Sequence, residues 1–345
     1  MASMAPIGEA EIRSALGSAY GLQASDVERL ALGYDFNASV YRVTDLAGRS
    51  YFLKLRRDGL YEPGIRIAEY LYSEGFHEVV APMHGVGDAS WHRLGDTTML
   101  LYPYIGGRSG MDVGLTDAQW TAYGRFMRRL HETRLPDGIR ASLRSELFEP
   151  EPDAIAMLSR IGDDLASGRV PDDDEAHRLA DFWRGHEAEI FEFAERAVGL
   201  GQRLARRNFD DILCHADLHT NNLIVAPSGE LFVVDWDQPM LAPRERDLMF
   251  VLGGGIGFGA NAEQEALFLE GYGSTDVDDM AMAYYRYEWL ASDVAAFAGM
   301  ILYDGISCGP DGQNLVDLFI MQFAPGRLVG IAPRLDGAVF EEQGA

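Results

Sequence analysis

The spacing of apolar residues changes several times along the first hundred positions of the chain. Over 9–19 they fall at Ile12, Ala15, Leu16 and Ala19, the three-and-four spacing of a helix with one buried face. Three short runs follow, 27–32, 39–44 and 51–56, rich in β-branched and aromatic residues and separated by Gly33 and Gly48. The turn chemistry of residues 45–48 (DLAG) predicts that the last two runs form a hairpin. Helical spacing returns over 64–73. Residues 97–104 (TTMLLYPY) read as a buried strand running out into Pro103 and Gly106-Gly107, where a boundary is expected.

Beyond Thr116 the pattern is helical. Thr116 and Gln119 have the spacing of a capping box ahead of a helix over 120–131. The acidic segment 163–175 reads as a solvated loop or a helix start, and a long amphipathic helix is predicted over 174–200. β-type runs reappear between 209 and 237, and helical patterns then continue to near the C-terminus. The expected fold class is α+β, with a β-rich first part and a mostly helical second part.

Composition narrows the partners. The chain has 345 residues with 29 basic and 54 acidic side chains, a formal net charge of −25. That balance argues against nucleic acid and anionic membrane surfaces, which are bound by clustered cations, and it suits a cationic small molecule. No apolar run approaches the roughly 18 residues of a membrane helix. Cys214 and Cys308 make no disulfide framework, and residues 1–20 lack a secretory pattern, so a cytoplasmic protein is the expectation.

Lys54 is the only lysine in the chain; every other basic residue is arginine. It stands mid-strand in Tyr51-Phe52-Leu53-Lys54-Leu55, alternating with bulky apolar residues, where an unpaired ammonium is costly to bury. It needs an anion. Glu69, on the helix that follows, is the natural partner, with Glu62 and Glu74 as rivals.

The densest chemistry lies at His215-Ala216-Asp217-Leu218-His219-Thr220-Asn221-Asn222. A strand, a turn at Pro227-Ser228-Gly229 and a returning strand ending at Asp235 follow it. A hairpin brings Asp217, Asn222 and Asp235 to one end. That set suits a divalent cation on Asn222 and Asp235 beside a free carboxylate, the requirement of phosphoryl transfer.

H-x-D-x-H-x-x-N, a hairpin and a terminal Asp together resemble the aminoglycoside phosphotransferase family. These are small-molecule kinases with the protein-kinase fold, related to choline kinases. The resemblance extends through residues 236–250, and with Tyr102-Pro103-Tyr104 and the segment around 284–288 it is closest to the branch acting on spectinomycin. It implies a bilobal kinase-like fold: a nucleotide-binding lobe over 1–100, a hinge over 101–106, and a catalytic and acceptor-binding lobe over 107–345 with a helical insertion at about 112–205. It also implies Asp217 as catalytic base, Asn222 and Asp235 as Mg2+ ligands, and Lys54 paired with Glu69 at the phosphates of ATP. Ala216 stands where kinases switched by activation-loop phosphorylation carry Arg, so that switch is not expected. Residues 33–41 occupy the phosphate-loop position with one glycine instead of three, leaving Asn37 and Ser39 as candidate phosphate contacts. Base recognition is expected along 101–105, which includes Tyr102 and Tyr104.

His215 is expected to anchor the loop and His219 to be structural; Asp247 either bonds the loop backbone or caps a helix. Six acids and one base, Arg286, fall between 276 and 304. Tyr285, Glu288 and Trp289 there offer a carboxylate flanked by aromatic surface, suited to a cationic acceptor or simply to a core, and Asp237 is a further acceptor candidate. The predicted activity is transfer of the γ-phosphoryl of ATP to a hydroxyl of a small cationic molecule, an aminoglycoside or aminocyclitol such as spectinomycin. A metabolic kinase for choline, a sugar or an amino-alcohol is the alternative. A nucleotide-sensing pseudokinase and a metal-dependent hydrolase fit less well, since a hydrolase would recruit further histidines after His219 and there are none.

Overall fold

Alternation of side chains across the pleat organises the first part of the protein. In the computed structural model, which describes residues 7–32, 37–57, 59–256, 259–309, 312–324 and 327–331, helix α1 (Glu9–Tyr20) precedes strands β1 (Ala24–Leu30), β2 (Ala38–Asp45) and β3 (Ser50–Arg56). Helix α2 (Glu62–Ser73) follows, then β4 (His92–Leu94) and β5 (Thr97–Pro103). The five strands form one antiparallel sheet in the order β1-β2-β3-β5-β4. On β3, Tyr51, Leu53 and Leu55 are buried against Ile12, Leu16, Tyr41, Val43, Met99 and Leu101. Phe52, Lys54 and Arg56 therefore point to the opposite face, as the two-residue period requires.

The second part holds the short strands β6 (Arg108–Ser109), β7 (Arg144–Ser145), β8 (Ile212–Cys214), β9 (Leu223–Val225), β10 (Leu231–Val233) and β11 (Met240–Ala242) in two three-stranded sheets. Around them pack α3 (Gly110–Val113), α4 (Asp117–His131), α5 (Asp137–Arg140), α6 (Pro152–Ala166), α7 (Asp174–Leu204), α8 (Glu245–Leu248), α9 (Ala262–Tyr272), α10 (Asp279–Gly299) and α11 (Leu315–Met321). The capping box at Thr116 and Gln119 is formed. The acidic segment divides: its first residues finish α6, and Asp173 caps α7 by accepting from the Ala176 amide.

A large core runs through α4, α6, α7, α9 and α10 and includes Trp120, Trp183, Phe193, Phe268 and Leu290. Each such side chain contributes roughly 1.5–3 kcal/mol on burial. Ile67, Ala68 and Leu71 of α2 belong to this core and not to the smaller one beneath the sheet. Helices α4 and α9 approach through Gly124 and Gly271, where a Cβ would overlap the carbonyl oxygens of Phe268 and Thr121. That close approach sets His131 beside Tyr272 at the ends of the two helices. The result is a β-sheet lobe followed by a helical lobe, as expected.

Candidate active site

Strand β8 delivers the chain into the loop 215–222, and β9 and β10 pair antiparallel with Leu223 opposite Val233. The hairpin places Asn222 just before its first strand and Asp235 just after its second. The Val234 amide donates to the Asn222 carbonyl at 3.1 Å. Asn222 Nδ2 donates to the Asp217 carbonyl oxygen at 2.8 Å and to Asp217 Oδ2 at 3.1 Å. His219 Nε2 lies 3.2 Å from Asp217 Oδ1, and the Asp217 side chain stays one-third exposed, open to a substrate.

Two residues here adopt left-handed backbone that only glycine takes freely: Ala216 at φ 71° and Asp235 at φ 67°. Each costs on the order of 1 kcal/mol or more and persists only where surrounding bonds enforce it. At Ala216 the enforcement comes from Asp247, which is fully buried. Its Oδ1 accepts from the Ala216 amide at 2.7 Å and its Oδ2 from the His215 amide at 2.9 Å. His131 Nε2 lies 3.1 Å from the same Oδ2, and His131 Nδ1 lies 2.8 Å from the Tyr272 hydroxyl. Burial opposes the charge on Asp247, but the bond from His131, the nearby imidazoles and the His215 amide together hold its pKa below the ordinary carboxylate value. Asp247 thus serves the loop backbone, the first of the two roles expected for it. His215 Nε2 meets the Val234 carbonyl at 3.0 Å, so this histidine ties the loop to the returning strand. Tyr123 adds a bond from its hydroxyl to the Leu218 carbonyl. His131 was not legible as part of this network: its partner Asp247 is 116 residues away in sequence.

Lys54 reaches the same end of the hairpin from β3. Its Nζ donates to Asp235 Oδ1 at 3.0 Å and to Asp237 Oδ2 at 2.6 Å. Burial works against the ammonium, yet these two carboxylates outweigh it and raise its pKa above the ordinary value. Glu69 is not its partner. That carboxylate accepts from the Ser90 hydroxyl and lies 3.1 Å from His84 Nε2. Glu62 pairs with Arg66, and Glu74 is exposed.

Ser39 also departs from expectation. It is buried on the face of β2 shared with Tyr41 and Val43, opposite the face that carries Lys54, so its hydroxyl does not look into the cleft. Asn37 is exposed at the entry to β2, with its carbonyl accepting from the Arg57 amide at 3.1 Å. Residues 33–36 lie outside the described residues. Tyr102 pairs across the sheet with Phe52 on the Lys54 face, and Arg42 lies 4.9 Å from the centre of the Tyr104 ring.

Magnesium, implied by the resemblance, is matched by the donors present. Asp235 offers a carboxylate that is 43% exposed, and Asn222 spends its NH2 group on Asp217, leaving its amide oxygen for a cation. Both are hard oxygen donors of the kind Mg2+ takes.

The proposed acceptor cage is already filled by the protein. Arg246 donates to Glu288 Oε2 at 2.9 Å, and its guanidinium lies 5.5 Å from the Tyr285 ring centre and 5.8 Å from that of Trp289. Tyr285 is fully buried. A carboxylate flanked by aromatic faces does attract a cation; here the cation is Arg246, 42 residues away in sequence. Asp237 likewise serves Lys54 and Arg56. Trp289 remains partly exposed, packed edge-on against Phe250 with ring centres 5.0 Å apart and near His219 at 6.4 Å. One turn beyond Trp289 on α10, the partly buried Asp293 lies within electrostatic range of Asp217. Burial and the charge of Asp217 push its carboxyl up to about 7, with His219 pulling the other way.

Comparison with known proteins agrees with this geometry. A spectinomycin phosphotransferase solved with ADP and spectinomycin superposes with a TM-score of 0.83 at 28% identity, covering 96% of this chain and 99% of that one. An amicoumacin kinase shares the fold at a TM-score of 0.59 and 17% identity, over 92% and 93% of the two chains. A choline kinase from Streptococcus pneumoniae does so at 0.54 and 16%, over 91% and 97%. Among curated proteins none matches the sequence. The family model described as the phosphotransferase enzyme family matches residues 26–285, which span both Lys54 and the loop with Asp217, and the chain belongs to that family of kinases.

Proposed function

We propose that the protein transfers the γ-phosphoryl group of Mg2+-bound ATP to a hydroxyl of a small cationic acceptor, an aminocyclitol or aminoglycoside with spectinomycin first among them. The observation that carries this reading is the meeting of Lys54, Asp217, Asn222 and Asp235 at one end of a hairpin, from parts of the chain up to 181 residues apart. Asp217 orients the acceptor hydroxyl and takes its proton as the oxygen attacks; Lys54 holds the phosphates; Asn222 and Asp235 hold the metal, which supplies charge neutralisation when bound. Asp217 is fixed by Asn222 and by the strained loop behind it, so its carboxylate needs no rearrangement to act.

The choice of acceptor rests on the 28% identity to a spectinomycin phosphotransferase along nearly the whole chain, and on the carboxylates Asp217 and Asp293 lying within electrostatic range of one another. Two carboxylates in partial burial favour a cation between them. The test is ADP release, measured with spectinomycin, other aminoglycosides, choline and simple sugars as acceptors. Release stimulated by spectinomycin supports the reading. Release stimulated only by choline or a sugar would replace it with a metabolic kinase.

A further inference from the structure

We infer that Lys54 and Arg56 form a two-cation clamp on the phosphates of the nucleotide, and that Asp237 positions both. The inference rests on the phosphotransferase reading of this cleft but is independent of which acceptor is used. Residues 54 and 56 lie two apart on β3 and so share one face of the sheet, opposite Leu100 and Thr98 of β5. A single oxygen, Asp237 Oδ2, accepts from Lys54 Nζ at 2.6 Å and from Arg56 Nη1 at 2.5 Å. The shared oxygen holds the ammonium and the guanidinium side by side, so that both cations are presented together to a phosphate. The two cations divide the work by shape: the ammonium is a compact point charge, and the planar guanidinium can hold two oxygens at once.

The packing of α2 explains why a loop carboxylate holds this position. At Gly64, in the first turn of α2, a Cβ would overlap the Trp236 carbonyl oxygen, and Pro239 Cδ would lie 3.4 Å away. The helix backbone is therefore pressed against the segment between Asp235 and Asp237. No side chain fits where that contact is made, and Glu69 emerges on another side of the helix, bonded to Ser90 and near His84. Asp235 is assigned to the metal, so Asp237 is the carboxylate left to hold both cations in place. Among the described residues, Lys54 is held by Asp235 and Asp237, and Arg56 is bonded to Asp237.

Two readouts test the clamp on the full chain, with no acceptor present. The first is calorimetric titration with ADP and, separately, adenosine, both with magnesium. Arg56→Gln should weaken ADP binding about tenfold, the equivalent of one charge-assisted contact, and leave adenosine binding unchanged. Asp237→Asn should weaken ADP binding to a similar extent. Because the two residues act as a unit, the double variant should be within about threefold of the weaker single variant. The second readout uses the fact that Lys54 is the only lysine. Acylation by a lysine-selective reagent, followed on the peptide containing Lys54, should be slowed by ADP in the wild type and speeded several-fold by Asp237→Asn. Wild-type ADP affinity in Arg56→Gln, or an equal loss for adenosine, overturns the clamp. Unchanged Lys54 reactivity in Asp237→Asn overturns the positioning role. A chain that binds ADP in this way but ignores spectinomycin would refute the acceptor assignment alone.

Discussion

Two of the carboxylates on helix α10, Glu288 and Asp293, have opposite surroundings. Glu288 is bonded to Arg246 and walled by Tyr285 and Trp289, so its charge is answered from within the chain. Asp293, five positions on, feels the charge of another carboxylate, Asp217, and no arginine or lysine is bonded to it among the described residues. The first set has the chemistry of a cation site and is closed by Arg246; in the second, Asp217 stays one-third exposed and no arginine or lysine among the described residues answers Asp293. Residue types alone single out the first, whose charge the protein answers itself; binding a ligand requires a vacancy as well as a complementary charge. On the proposed function, an incoming amine takes at Asp293 the part that Arg246 takes at Glu288.

Removing the base should give the largest effect. Asp217→Ala is expected to lower turnover by about a thousandfold or more while leaving ADP affinity nearly intact, as measured by steady-state kinetics and calorimetry. Full activity in that variant would end the assignment. Next comes the closed set. Arg246→Met strips a buried guanidinium from Glu288 and leaves that carboxylate unpaired, so urea unfolding should show a loss of about 3 kcal/mol or more. The acceptor KM should change little. A large rise in KM with stability intact would instead make Arg246 part of the acceptor site.

The open set should respond in the opposite way. Asp293→Asn is expected to raise the KM of a cationic acceptor about tenfold, or about 1.4 kcal/mol, with no change in ADP affinity. An unchanged KM would remove Asp293 from acceptor binding. The smallest effect is in pH. With its carboxyl pushed up to about 7, Asp293 is protonated below that value and charged above it, so acceptor affinity should rise as pH increases through 7. The sign for stability is the reverse. The folded state holds this proton more tightly than the unfolded chain, whose ordinary aspartate pKa is about 4, so stability falls as pH rises from there to 7. Asp293→Asn should therefore raise Tm most at pH 8, less at pH 5, and leave it unchanged only below about pH 4, where the unfolded chain is protonated too.

What could be read from sequence follows the range of the interactions. The loop motif was legible because Asp217, Asn222 and Asp235 are joined by a hairpin whose turn and strands are local signals. Lys54 was legible because burial of a lone ammonium on a strand demands an anion, but which anion was not. That depended on how α2 is rotated, and the rotation is set by Gly64 against Trp236, a contact between residues 172 positions apart. Helical spacing placed Tyr285, Glu288 and Trp289 together correctly and was silent on Arg246. The face of Ser39 followed from strand parity once the register with β3 was fixed, opposite Leu55 and not Lys54. Side-chain periodicity gave the elements, and long-range packing chose their partners.

The membership of α2 in the larger core has a mechanical consequence. By chain order α2 lies within the sheet lobe, yet Ile67, Ala68 and Leu71 are packed with the helices of the second lobe. The residues after it pair with β10, the Val80 amide donating to the Val233 carbonyl at 3.1 Å and the Val233 amide to the Glu78 carbonyl at 2.7 Å. The natural cut between rigid bodies therefore passes on either side of residues 62–80, and a rocking motion of the sheet would leave this helix behind. Native-state hydrogen exchange should display that division, with α2 amides protected like those of α4 and β3 amides opening through a separate, lower-energy event. Lys54 and Arg56 ride on one body and Asp237 on the other, so the distance between them is a gauge of how far the cleft has opened.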